Sequence, residues 1–188
     1  MILLLLAAVA CAPELPQAPE STRLTAVEGA LGPWSGTAAR VELLAGVAHA
    51  EDVKVSGDSA IPLVIVAAKF EWDLKSQTTA FRENVKVTRG PVTLTADTLD
   101  VKYKDQDHID VLTARGHVVV TRGGRVARAE NATLTAGDGR VVLTGSPTLT
   151  EGVNALSGDR IEVFLDDERA TCSGGDEPCR LTIVGGGM

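Results

Sequence analysis

The chain has 188 residues, the length of one domain or two small ones, and its 44% hydrophobic and 23% charged content excludes disorder throughout. Its net charge of −7 and pI near 5.0 exclude docking on nucleic-acid phosphates by bulk charge. Aromatic residues supply only 3%, whereas Val (22) and Thr (18) fill 40 positions, so the core is aliphatic and the elements are strands.

Residues 1–10, MILLLLAAVA, are wholly apolar. As a helix they rise about 15 Å, half of a roughly 30 Å hydrocarbon core, so they match the apolar region of an export signal rather than a membrane span. Ala8-Val9-Ala10-Cys11 resembles the lipobox of bacterial lipoproteins, which makes Cys11 the expected lipidation site and a lipid anchor the expected membrane contact. Pro13, Pro16 and Pro19 resist helix and sheet alike, and residues 11–36 are expected to form the lipidated cysteine and its tether. The β domain is then 37–188. Residues 37–45 are the nearest candidate for a helical period, but the Val41, Leu43 alternation suits a strand as well.

Beyond the tether the chain repeats itself. Glu51-Asp52-Val53-Lys54-Val55 returns as Glu83-Asn84-Val85-Lys86-Val87, and Gly116-His117-Val118-Val119 follows, at spacings of about 32 and 33 residues. Ala96-Asp97-Thr98-Leu99 aligns with Ala129-Glu130-Asn131-Ala132, and Gly158-Asp159-Arg160-Ile161 is a third version. Within each unit apolar residues alternate strictly. Val85 and Val87 oppose Lys86, Leu99 and Val101 oppose Asp100, and Ile161 and Val163 oppose Arg160, Glu162 and Phe164. Turns are expected at Arg89-Gly90-Pro91, residues 104–107, Gly123-Gly124, Gly137-Asp138-Gly139 and residues 166–168. Strands of about six residues allow roughly 14–16 of them, too many for one flat sheet. The expectation is an all-β fold built from strand–turn repeats of about 30 residues.

Cys172 and Cys179 flank a turn-forming Ser-Gly-Gly-Asp-Glu-Pro between two strand-like segments. An exported chain meets an oxidising compartment, so this pair is expected to close as a disulfide. A metal pair would lack two further ligands. His49, His108 and His117 lie on unrelated segments with no Ser or Cys motif, and neither a phosphate loop nor a zinc signature is present, so no catalytic residue, cofactor or metal is expected. Asp105, Asp107, His108 and Asp110 lack the Gly and terminal Glu of a calcium loop and read as a solvated turn.

Phe81-Arg82-Glu83-Asn84-Val85 resembles the F-x-x-N-V motif of the OstA-like family, which includes the periplasmic lipopolysaccharide transport protein LptA. The family's A-D-x-L-x-V is matched by Ala96–Val101 and its G-x-V-x-V by Gly116–Val120. Its A-x-x-A, L-x-G-x-P and G-x-x-I are matched by Ala129–Ala132, Leu143–Pro147 and Gly158–Ile161. The resemblance spans about residues 37–175. It implies a folded-over, open-ended antiparallel β jelly roll whose apolar interior carries the acyl chains of lipopolysaccharide, without enzymatic activity. It also implies partners among other OstA-like domain proteins of an export bridge, with end-to-end homo-oligomers. An LptC-like role as an exporter subunit, or a structural or carbohydrate-binding β-repeat module, is the alternative. The residues in the apolar phase are Val85, Val87, Leu99, Val101, Val118, Val120, Leu134, Leu143, Ile161 and Val163, the expected lipid-binding set. A net charge of −7 gives an anionic glycolipid no general attraction. The place expected is the periplasm, with Ala12 after Cys11 leaning towards the outer membrane. The exposed strand edges are expected near Thr37–Leu43 and Arg180–Val184.

Overall fold

The computed structural model describes residues 22–31, 34–44, 47–57, 63–73, 76, 78–104, 108–135, 137–164, 169–175 and 178–184. These residues form fourteen strands and no helix. In chain order they are β1 (Thr22–Leu31), β2 (Trp34–Leu44), β3 (Val47–Gly57), β4 (Leu63–Asp73), β5 (Thr78–Arg89), β6 (Val92–Tyr103) and β7 (Ile109–Arg122). Then come β8 (Arg125–Thr135), β9 (Arg140–Thr144), β10 (Thr148–Glu151), β11 (Asn154–Ser157), β12 (Arg160–Phe164), β13 (Arg169–Ser173) and β14 (Arg180–Thr182). Each of β1 to β8 pairs antiparallel with the next, so the connections are hairpins and the sheet is a meander.

From β8 onward the sheet continues in halves. Residues 131–135 of β8 pair β9, and residues 125–128 pair β10. The strands β12 and β13 then extend the first half, β11 and β14 the second. Thus β9 with β10, β12 with β11 and β13 with β14 each stand where one long strand stood earlier.

A crease runs through the middle of every long strand and separates these halves. Pairing breaks register between Val66 and Lys69, Arg82 and Val85, Thr95 and Thr98, and Arg115 and Val118, with the extra residues on β5 and β7. Such bulges bend a strand sharply. The residues at the bend have positive φ: Asp52, Glu83, Asn84, Gly116, His117, Gly145 and Ser146. They fall within the E-D-V, E-N-V, G-H-V and G-S-P segments, so these segments mark successive crossings of one crease.

The neighbouring strands answer with a small residue followed by a charged or polar one. Lys69 bonds Glu83, and Asp97 contacts His117 Nδ1 at 2.8 Å. The Glu130 amide donates to the Gly145 carbonyl at 3.2 Å, and the Asp159 carboxylate accepts from the Gly175 amide at 2.6 Å. The Cys172–Cys179 disulfide closes the crease at its C-terminal end, tying β13 to the residue before β14, with Cα atoms 6.1 Å apart. A Cβ on Gly158 would lie 2.5 Å from Cys172 Sγ and 3.1 Å from Cys179 Sγ, which is why that crossing carries no side chain.

Folding about the crease lays the apolar phases of the two halves against each other. Ala50, Phe70, Phe81, Leu99, Leu112, Leu143 and Ile161 of the first half join Val53, Ile65, Val85, Val118 and Ala127 of the second in one cluster. Phe70 and Phe81 are cross-strand partners with ring centroids 5.2 Å apart, edge to face. The buried Thr79 hydroxyl is satisfied by Tyr103 Oη at 2.9 Å.

The structure corrects three expectations. The sheet begins at Thr22, within the segment 11–36 assigned to a tether, and β1 lies along β2 from Thr22↔Leu43 to Leu31↔Trp34. The N-terminal edge is therefore β1 and not 37–43, because β2 is paired on both sides. Phe164 does not belong with an outer polar face, because it lines an internal cavity beneath Arg169. Residues 37–44 are strand, as their alternation allowed.

His117 offers a direct check on the crease. Its hydrogen bond to Asp97, then the charges of Asp97 and Glu130, hold its pKa above the ordinary 6.5. A raised folded-state value means the contact stabilises fully below about pH 6.5 and is lost as pH rises through the raised pKa. The His117 ring protons should titrate above 6.5 by NMR, and Asp97→Asn should return the midpoint towards 6.5. An unchanged midpoint in Asp97→Asn would contradict the contact.

Candidate lipid-binding interior

All ten residues of the expected lipid-binding set lie in the space between the half-sheets, in the central cluster or packed against it. They divide into two groups. Val85, Leu99, Val101, Val118 and Ile161 are at most 1% exposed and packed by other side chains. Val87 is also buried, and Leu134 is half-buried at the cluster's margin. Val120, Leu143 and Val163 instead face a cavity of about 170 Å³ near the C-terminal end of the sheet. Its first-half wall is Val141, Leu143, Val163 and Phe164, and its second-half wall is Val92, Val120, Ala127 and Leu149.

The cavity exists because the inward phase thins out here. Strands β9 to β12 are four or five residues long, against eleven to fourteen for β3 to β8. Ala127 and Ala170 stand on the lining where a larger side chain would fill the space. A cavity of about 150 Å³ has room for a benzene-sized guest. This one fits a segment of one acyl chain, and a whole chain requires the half-sheets to part.

The lip of the cavity is charged. Carrying the inward phase one step beyond its last valine leads from Val87 to Arg89, from Val120 to Arg122, and from Ala127 back to Arg125. Cross-strand register aligns Leu63, Arg89, Val92, Arg122, Arg125 and Glu151 in one row. Arg125 Nε bonds Glu151 Oε1 at 3.0 Å, and Arg122, Arg125 and Glu151 all line the cavity. On the opposite wall the Arg169 guanidinium lies 4.4 Å above the centre of the Phe164 ring. This basic row was missed in the sequence because each arginine closes an otherwise apolar alternation and reads as a turn residue.

Among the described residues no cluster of His, Cys, Asp or Glu could hold a metal ion. Asp105 and Asp107 of the expected solvated turn, like residues 1–21 with Cys11, lie outside the described residues. Of the histidines, His117 bonds Asp97 and His49 lies 3.9 Å from Glu71, both at exposed positions.

Residues 64–169 match the family model described as LptA/(LptD N-terminal domain) LPS transport protein, more than half of the chain. The chain belongs to that family. The match begins within β4 and ends at the first residue of β13, so it takes in the crossings at Glu83-Asn84, Gly116-His117 and Gly145-Ser146 and all ten interior residues. Among solved structures, the chain is similar to LptH of Pseudomonas aeruginosa, the LptA homologous periplasmic component of the lipopolysaccharide transport device. Identity is 19%, the TM-score is 0.60, and the match covers 66% of this chain and 96% of that one, a likeness of fold. No curated protein matches the chain.

Proposed function

We propose that the chain is a non-enzymatic periplasmic carrier that holds the acyl chains of lipopolysaccharide between its half-sheets and passes them toward the outer membrane. The observation that carries this reading is the aliphatic cavity between the half-sheets of a creased, open sheet, in a chain belonging to an LPS transport family. A chain of a dozen carbons exposed to water costs roughly 10 kcal/mol at about 0.8 kcal/mol per CH₂, so a carrier must offer an apolar interior of this kind. Loading parts the half-sheets, starting at the cavity where packing is thinnest.

End-to-end association is supported by the edges. Among the described residues β1 pairs only β2, while β13 and β14 each pair a single neighbour. Leu181 in β14 and Ile183 and Val184 just after it are more than half exposed, an apolar edge that a partner domain would cover. A lipid on Cys11 would hold the assembly at a membrane, the outer one favoured.

One preparation tests these points together: full-length protein extracted from its native membrane. Mass spectrometry should find lipopolysaccharide in the extract and a mature chain lacking residues 1–10 with acyl mass on Cys11. Light scattering should grow with concentration. Protein that carries no amphiphile, yet binds a polysaccharide, would overturn the carrier reading. A strict monomer would remove the stacking and favour an LptC-like role with a dedicated partner.

A further inference from the structure

The chain is acidic overall, yet the row that closes the second half-sheet's inward phase holds three arginines and one carboxylate. Arg122 and Arg125 are direct cross-strand partners flanking the Gly123-Gly124 turn. The Glu151 carboxylate supplies one charge at Arg125, and its side chain is 59% exposed, so it can swing away. Arg169 faces the same cavity from the other half-sheet. The result is an apolar slot with guanidinium groups at its mouth, on the side opposite the crease.

An amphiphile with its chains in the slot places its headgroup at that mouth. Guanidinium groups bind phosphate in a bidentate fork, and the second charge of a phosphate monoester lets one group serve two arginines. We infer that Arg122 and Arg125, with Arg89 one strand pair away in the same row, form a phosphate-binding lip that selects lipids with phosphorylated headgroups, Glu151 acting as the resident counter-ion that the phosphate displaces. The inference rests on the carrier reading and adds to it a basis for headgroup selection that bulk charge cannot provide.

The test uses full-length protein and two probes, diphosphoryl lipid A and the same lipid after phosphatase treatment, each competed against a fluorescent fatty acid. The native protein should prefer the phosphorylated lipid by at least tenfold at 50 mM NaCl, with the preference shrinking at 500 mM. The double variant Arg122→Gln/Arg125→Gln should bind both lipids equally, at the level the native protein shows for the dephosphorylated one. Arg89→Gln should lose a smaller part of the preference. Glu151→Gln removes the competing carboxylate and should raise the preference several-fold, a gain that a damaged fold would not produce. Equal affinity of the native protein for both lipids, or a preference that survives in the double variant, would overturn the lip while leaving the carrier standing. Failure of the native protein to bind either lipid would overturn the carrier reading and the lip with it.

Discussion

Val163→Asp is expected to reduce lipid loading at least tenfold while the sheet remains folded. Val163 pairs with Val141 and Ala170 and faces the cavity, where it is half-buried. A carboxylate there stays hydrated while the cavity is empty and must lose its water, or be protonated, when a chain enters. Burying such a polar group unpaired costs about 2 kcal/mol or more, and 1.4 kcal/mol is a factor of ten in affinity. The same change at Leu99 reads differently. Leu99 is 1% exposed between Phe81 and Ala114, so Leu99→Asp should unfold the domain rather than report on loading. Circular dichroism separates the two variants, and fluorescent fatty-acid binding measures the loss. Native affinity in folded Val163→Asp would mean that the cavity is not where chains sit.

Gly116→Ala should be a costly single methyl in the crease. Gly116 has φ +77°, and an added Cβ would lie 2.2 Å from Asp97 Oδ2, the oxygen that contacts His117. The backbone strain and the displaced Asp97 together should cost about 2–4 kcal/mol, a fall of roughly 5–12 °C in Tm for a chain of this size. Gly123 is the control. It also has positive φ, at +58°, but nothing lies within 4 Å of its Cβ position, so Gly123→Ala should cost only the conformational part, less than half as much. Equal losses would show that the packing of the crease contributes nothing beyond backbone conformation.

Much of this architecture was legible because period-2 alternation and a repeat of 32–33 residues are both one-dimensional signals. Val85 and Val87, Leu99 and Val101, and Val118 and Val120 face inward as their phase requires, and Cys172 pairs with Cys179. The crease was not legible as a crease. Left-handed backbone at Asn84 or Gly116 is common enough, but Glu83 and His117 adopt it only because tertiary pairing imposes it. The first strand was hidden because its larger apolar residues do not alternate: Leu24 and Val27 fall in opposite phases, although β1 keeps one register with β2 from Thr22↔Leu43 to Leu31↔Trp34. At the candidate site, the apolar walls were readable and the lip was not, because a row such as Arg89, Arg122 and Arg125 exists only once cross-strand register is known. Phe164 likewise follows Val163 out of phase and reaches the cavity through the shortness of β12 at the sheet's end.

The central claim is that acyl chains occupy the space between the half-sheets, and site-specific photo-crosslinking in cells tests it most directly. Crosslinkers at Val87, Val120 and Val163 probe the inward phase, and those at Lys86, Asp100 and Val119 probe the opposite phase on β5, β6 and β7. Lipopolysaccharide adducts are expected from the first three and none from the second three, with the strongest at the cavity positions Val120 and Val163. Adducts of equal yield from both phases, or none from either in correctly folded protein, would contradict it.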